Sequence, residues 1–137
     1  MNDRYLYRAK RKNWRELPKE VWWVEGYYAF VNNHHYIYTG NLCNGGLYVV
    51  AERFEIDIAT LCACTGLKDK NGKLIFENDI VRCGKNCTVT WCDTFVSWRL
   101  NTSGWMYSHF FGEACKPEDV EIVGNIFDNP ELLKVGE

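Results

Sequence analysis

The chain has 137 residues, of which 47% are hydrophobic and 15% aromatic, and its formal net charge is −2 at pH 7. This length suits one domain or two small packed halves, and the apolar content is high enough to form a core, which excludes extensive disorder. No apolar stretch approaches the ~20 residues that cross a bilayer, and the N-terminus lacks the apolar region of a signal peptide. We therefore expect a soluble cytoplasmic protein that does not associate with membranes.

The first half of the chain predicts aromatic-rich strands separated by polar turns. The long strand contains Gly26, which indicates a bulge or a close backbone approach, and Asn32-Asn33 is a turn signal before its partner strand. Asp57 is placed to cap a single helical turn before Leu61. The predicted strands are 4–8, 21–31, 35–39 and 47–54, with a polar loop over 10–20.

The second half carries the strongest turn signals. Asn71-Gly72 predicts a two-residue type I′ hairpin, because Asn and Gly tolerate the positive φ that both central positions need. A second corner follows at Glu77-Asn78-Asp79, where we expect a left-handed Asn78 and an Asp79 carboxylate that accepts backbone N–H groups.

Two further features complete the second half. The strands 88–91 and 96–100 predict a hairpin whose alternation would place Trp91 and Trp98 in the same interior. The strand 121–127 would close the sheet, and a short C-terminal helix would follow with Pro130 in its first turn.

Seven cysteines are present, and an odd number without a signal peptide argues against a disulfide framework. We expect most of them to be free thiols that are buried on strands as small apolar residues. A weaker alternative is a small metal-dependent enzyme with ligands at Cys83, Cys87 and His109, although the cysteine spacing is not that of a zinc knuckle. We predict no metal and no cofactor.

Charge is distributed unevenly along the chain. Residues 1–20 hold seven Lys or Arg against three acidic residues, whereas residues 113–137 hold two against seven. Opposite ends of this kind suggest self-association, so a homo-oligomer is one expectation. The basic segment predicts a phosphate-contacting surface or, more simply, a solvated loop. Aromatic residues near 105–111 predict either core packing or a stacking surface.

No arrangement of residues predicts catalysis. Ser108 adjoins His109, but neighbours on a strand point to opposite faces, so they make a poor nucleophile and base. Phosphate-binding loops and nucleophile elbows are also absent. We therefore expect a protein that is not an enzyme.

Three blocks of the sequence resemble one known family. They are TGLKDKNGKLIFENDIV at 65–81, WVEGYY at 23–28 and VGNIFDNPELL at 123–133. In their order along the chain, 23–28, 65–81 and 123–133, they resemble the YopX family, whose members are small phage and prophage proteins in bacteria. This chain departs from the family's pattern at two positions. The family's Glu-Gly-Asp corner is Glu77-Asn78-Asp79 here, and Cys64 replaces the aromatic residue that usually precedes Thr-Gly-Leu. The resemblance implies a β-rich fold that ends in an SH3-like barrel, and it implies no activity.

The sequence and the resemblance together predict a mostly-β protein. We expect a β-rich segment over 1–60, an SH3-like barrel over 61–127 and a helix or tail over 128–137. The leading hypothesis is a non-enzymatic phage or prophage accessory protein that acts as a protein-interaction module on a host or phage protein. The alternative is a nucleic-acid-binding module that uses the basic N-terminal loop and barrel aromatics. The candidate interaction residues are Arg8, Lys10, Arg11, Trp14, Trp105 and Tyr107.

Overall fold

The computed structural model of the protein describes residues 5–42, 48–101, 109–110 and 115–133. Within these ranges the chain consists of antiparallel strands, connecting turns and short 3₁₀ turns, and it contains no α-helix. The prediction of a mostly-β fold is therefore confirmed. The same residues include no helix long and apolar enough to cross a membrane.

The chain divides into two compact units, 1–64 and 65–137. Strands of the first unit lie in the order β4-β3-β2-β1-β5, and every strand pair for which a register is assigned is antiparallel. Strand β5 begins in the first unit and continues past Cys64 into the second. These strands are β1 (Tyr7–Lys10), β2 (Trp23–Val31), β3 (His34–Leu42), β4 (Tyr48–Glu55) and β5 (Cys62–Lys68).

Two predicted local features shape the β2–β3 hairpin. Asn32 and Asn33 both have positive φ, at 51° and 65°, and Val31 pairs with His34 around them. This is the backbone of a two-residue primed turn, in which Asn is favoured. Gly26 lies against the backbone carbonyl of Tyr38, where a Cβ atom would overlap that oxygen. The close approach predicted for Gly26 is therefore confirmed.

The core of the first unit lies on one face of this sheet. Ala9, Val24, Ile37 and Ile56 are buried there, because alternate residues of neighbouring strands point to the same side. The 3₁₀ turn Ile58–Thr60 then follows, and the Asp57 carboxylate accepts the Ala59 N–H at 3.2 Å. The predicted cap is confirmed.

In the second unit, β6 neighbours β5, and a separate five-stranded sheet has the order β10-β9-β8-β7-β11. Among the described residues this sheet has two free edges, β10 and β11, so the predicted closure into an SH3-like barrel is not confirmed. These strands are β6 (Leu74–Phe76), β7 (Asp79–Cys83), β8 (Lys85–Cys92), β9 (Ser97–Asn101), β10 (His109–Phe110) and β11 (Glu121–Asn125).

The expected C-terminal helix is a single 3₁₀ turn over Pro130–Leu133, and this prediction is corrected accordingly. Asn129 Oδ1 accepts the backbone N–H of Asn125 at 3.2 Å, and the Leu132 N–H bonds to the Asn129 carbonyl at 3.1 Å. Asn129 therefore ties the start of this turn back to the end of β11.

The Asn71-Gly72 turn forms a hairpin, but not the predicted type I′ turn. Only Gly72 has positive φ, at 79°, and the loop is closed by a hydrogen bond from the Asp69 N–H to the Lys73 carbonyl at 2.9 Å. The loop is therefore three residues long and consists of Lys70, Asn71 and Gly72. Three-residue hairpin loops typically have a left-handed residue at their last position. The Asp69 side chain decides this geometry, because Oδ1 accepts the N–H groups of both Asn71 and Lys73 at 2.9 Å.

The corner after β6 has the predicted form. Asn78 has a φ of 70°, and buried Asp79 accepts the Phe76 N–H at 2.8 Å through Oδ2. An Asn in place of Gly is tolerated here because its short polar side chain makes the left-handed region accessible.

The core of the second unit is formed by Ile75, Val81, Cys87, Val89, Leu100 and Val120. Trp98 packs on this core, and its ring meets Trp91 edge-on with centroids 5.1 Å apart. Trp91 nevertheless remains 41% exposed. The two rings are in contact as predicted, but the expectation that both lie in the interior is wrong, because Trp91 lies near the exposed end of the hairpin.

Two cysteines correct the prediction of free thiols. Cys83 and Cys115 are joined by a disulfide, with Cα atoms 6.3 Å apart. Among the described residues Cys62, Cys64, Cys87 and Cys92 are not disulfide-bonded, and the first three are buried as expected. Because the disulfide links two positions 32 residues apart, it constrains the path from β7 to β11.

Candidate interaction surfaces

The end of the β8–β9 hairpin exposes three apolar side chains, one on β8 and two in the turn. Trp91, Phe95 and Val96, here called the hairpin tip, are 41%, 62% and 70% exposed. Large apolar side chains rarely cluster in solvent unless they contact a partner. The hairpin tip is therefore a candidate interaction surface on the second unit.

The backbone of the hairpin tip is strained. Val96 has a φ of 50°, and a β-branched residue in the left-handed region is a genuine outlier. Strain of this kind costs on the order of 1–3 kcal/mol, and it is concentrated at functional sites. Asn or Gly at position 96 would adopt this φ with less strain, yet the chain has an exposed apolar residue there.

A partly exposed thiol with a lowered pKa lies beside the hairpin tip. The backbone N–H of Phe95, together with the Arg99 guanidinium and the Thr94 N–H, lowers the pKa of the partly exposed Cys92 thiol. Arg99 Nη1 lies 3.9 Å from Cys92 Sγ. The pKa of the Cys87 thiol is instead raised by burial, so the pKa values of these two thiols are shifted in opposite directions.

The basic N-terminal segment is folded against aromatic rings. Lys10 is only 2% exposed, and its Nζ lies 3.9 Å from the ring centroid of Trp14, 4.5 Å from that of Trp22 and 5.6 Å from that of Trp23. Hydrogen bonds hold two of the rings, from Trp14 Nε1 to Asp57 and from Trp22 Nε1 to the Leu17 carbonyl. The Lys10 ammonium therefore lies within a tryptophan cluster rather than in solvent.

The other predicted residues of this segment also contact rings. The Arg8 guanidinium lies 4.9 Å from the centroid of Trp23, and that of Arg11 lies 4.2 Å from Phe54. Trp14 is half-buried, and Arg15 covers it at 4.2 Å. The structure therefore brings Lys10 and Trp14 together in one cluster and places Arg8 and Arg11 on rings of neighbouring strands.

A second surface is the face of the first sheet opposite its core. Registers place side chains of four neighbouring strands on this side, because residues directly opposite each other in a ladder share a face. We call it the ring face; its members are Arg8, Lys10, Trp23, Glu25, Tyr27, His34, Tyr36, Tyr38, Arg53 and Glu55.

Within the ring face, β3 carries a row of rings. The His34 and Tyr36 centroids are 6.2 Å apart, and the Tyr36 and Tyr38 centroids are also 6.2 Å apart. Exposed Arg53 lies 4.4 Å from the Tyr36 centroid and shares a hydrogen bond with Tyr38. The row therefore combines spaced rings with a solvent-facing cation.

Two clefts, each of about 430 Å³, open beside this row. Lys12, Arg15 and His34 line one of them, and Arg11, Lys12 and Arg53 line the other, while Glu55 borders both. Glu55 accepts hydrogen bonds from His34 at 2.8 Å and Lys12 at 3.1 Å, and these bonds lower its pKa. Four cations border the clefts, Arg11, Lys12, Arg15 and Arg53. Two carboxylates border them as well, Glu55 and Asp57, and Asp57 accepts hydrogen bonds from Trp14 Nε1 and the Ala59 N–H.

Two predicted interaction residues, Trp105 and Tyr107, lie outside the described residues. Within the described part of the chain, no group of three or more His, Cys, Asp or Glu side chains is arranged to hold a metal ion. Cys83 is bonded to Cys115 and so offers no thiolate to a metal. The sequence analysis did not identify Phe95 as an interaction residue. A large apolar residue in the turn of a predicted hairpin indicates exposure and could have identified it.

A family model for the YopX protein matches residues 7–134. The chain belongs to the YopX family. The match includes the hairpin tip, the tryptophan cluster and the row of rings on β3, so these surfaces lie within the family's domain. A comparison with curated protein sequences found no match.

Proposed function

We propose that this YopX family protein is a non-enzymatic phage or prophage accessory protein that acts as a protein-interaction module in the bacterial cytoplasm. Its partner is a host or phage protein, and the hairpin tip is the contact. The observation that carries this proposal is the exposure of Phe95 and Val96, at 62% and 70%, on a strained turn. We also propose that the second unit is an SH3-like barrel, as the family resemblance implies.

The chemistry of the hairpin tip favours a partner with an apolar pocket. Aromatic side chains that are exposed in the free protein and inserted into a pocket on binding contribute disproportionately to affinity. Trp91 and Phe95 are of this type, and Arg99 lies beneath Phe95 at 5.8 Å from its centroid. A second copy of the chain is the alternative partner.

A pull-down of tagged full-length protein from host lysate, with and without nuclease, tests the proposal. We expect one protein to be enriched by the wild type despite nuclease and to be lost with Phe95→Ser. Phe30→Ser is the matched control, because Phe30 is 58% exposed but lies in the first unit. Equal recovery by both variants would contradict the proposal. Light scattering at micromolar concentration distinguishes a second copy from a foreign partner.

A further inference from the structure

We propose that the ring face of the first unit binds single-stranded nucleic acid, with bases on the row His34, Tyr36 and Tyr38 and phosphates on the cations beside it. This site is separate from the hairpin tip and does not depend on it. It shares Lys12 and Arg15 with the basic N-terminal segment but not Lys10, which is buried among tryptophans, and its rings come from β3 instead of the aromatics near 105–111.

The spacing of the rings carries the first step. Successive centroids along β3 are 6.2 Å apart, and the planes of the rings are tilted by 42° and 59° rather than stacked. Neighbouring rings therefore do not stack face to face, and the group that lies over Tyr36 is the exposed cation of Arg53. Unstacked bases of a single strand lie on such rings one at a time, and any base serves because every base has a π-face.

The position of the cations carries the second step. Arg53 is exposed beside Tyr36 and Tyr38, and Lys12 and Arg15 border the cleft next to His34. The Lys12 side chain is 64% exposed in its ion pair with Glu55, so exchanging that carboxylate for a phosphate costs little. The carboxylates of Glu55 and Asp57 line the same cleft, but both already accept hydrogen bonds from protein groups. The cations therefore complement a phosphate backbone, which favours nucleic acid over an apolar peptide.

Single strands fit this face better than a duplex. The bases of a duplex are stacked on one another and present only their edges in the grooves, so they cannot lie on the rings of a sheet. The proposal therefore predicts preference for single-stranded over double-stranded DNA. Oligo(dT) and oligo(rU) both provide unstacked bases and a phosphate backbone. Comparing their affinities for the protein shows whether the site prefers DNA or RNA.

Fluorescence anisotropy with the full chain and labelled strands of roughly 12 nucleotides tests the site. We expect saturable binding that weakens steeply between about 50 and 200 mM salt. Tyr36→Ala/Tyr38→Ala should weaken binding roughly 10-fold or more, whereas Tyr36→Phe/Tyr38→Phe should retain it because stacking needs only the ring. Circular dichroism shows whether the alanine variant is folded, and the phenylalanine variant keeps the test informative if it is not.

A charge-matched pair of variants supplies the second measurement. Arg53→Gln should reduce the slope of log binding constant against log salt by about 0.7, the value for one phosphate contact on a single strand. Arg82→Gln removes an arginine from the second unit that is also exposed, and it should leave the slope unchanged. Absence of binding at 50 mM salt, or equal loss with both variants, would overturn the proposal. Phe95→Ser should bind strands normally, which separates this test from that of the hairpin tip.

Discussion

The carboxylate of Asp69 accepts the backbone N–H of Ile122 at 3.1 Å, across 53 positions of sequence. Its other oxygen accepts two N–H groups in the turn that contains Asn71 and Gly72. One buried side chain therefore shapes a hairpin and also attaches it to β11. Burial alone would raise the pKa of Asp69, but the N–H groups of Ile122, Lys73 and Asn71 outweigh burial and lower it.

This network predicts acid sensitivity. Because the pKa of Asp69 is lower in the folded state than in the unfolded chain, its contribution is present above the unfolded value of about 3.9 and is lost as pH falls through the folded value. We expect Asp69→Asn to lose about 2 kcal/mol of unfolding free energy at pH 7. Urea titrations at pH 7 and below pH 4 should show this difference shrinking in acid. A constant difference would contradict the assignment.

Replacing Lys10 should destabilise the first unit. Lys10→Ala removes both the buried stem and the ammonium from the tryptophan cluster, and we expect a loss of about 3 kcal/mol. Lys10→Met retains the volume and should lose about 1 kcal/mol, because only the cation–π attraction is removed. Urea unfolding followed by tryptophan fluorescence measures both. Lys68→Ala, an exposed lysine on β5, is the control and should change stability little.

The disulfide between Cys83 and Cys115 should contribute strongly to stability. The bond closes a loop of 32 residues and so lowers the conformational entropy of the unfolded chain. In the chain-entropy account this raises the free energy of unfolding by roughly 3–4 kcal/mol. Dithiothreitol should lower the unfolding midpoint of the wild type and leave that of Cys83→Ala/Cys115→Ala unchanged. Peptide mapping without reduction identifies the bond. An unchanged wild-type midpoint would show that the bond does not stabilise the fold.

Relieving the strain at Val96 should separate stability from binding. Val96→Gly removes the Cβ that makes φ of 50° unfavourable, although it also frees the unfolded chain, so we expect a net gain of about 1 kcal/mol. The same change removes an exposed apolar group from the hairpin tip and should weaken recovery of the partner. Thermal unfolding and the pull-down give the two readings. Lower stability would indicate that the turn is not strained.

Cys92 should be the most reactive of the cysteines that are not disulfide-bonded in the described part of the chain. Its lowered pKa gives more thiolate at neutral pH, while Cys62, Cys64 and Cys87 are buried. Alkylation with iodoacetamide, followed by mass spectrometry over a pH series, should show Cys92 modified first and with a midpoint below that of a free thiol. Arg99→Gln should move the midpoint upward. Faster labelling of Cys87 would refute the prediction.

Comparison of the two hairpins shows where local sequence was sufficient. At Asn32-Asn33 the backbone adopts the positive φ values that Asn tolerates, as the local sequence predicts. At Asn71-Gly72 the same reasoning predicts a two-residue turn, but the Asp69 carboxylate draws in the N–H groups of Asn71 and Lys73. That carboxylate is itself held by Ile122, which no local pattern near residue 70 indicates.

The sequence by itself determined the local features of this protein: its strand-rich character, the left-handed Asn78, the cap at Asp57 and the close approach at Gly26. Each depends on backbone sterics or on hydrogen bonds between near neighbours. Only the tertiary structure decided that Lys10 is buried, that Trp91 is exposed and that Cys83 meets Cys115. These outcomes depend on which distant residues share a face or a sheet edge. Alternation indicates which residues of one strand share a face, but not what covers that face.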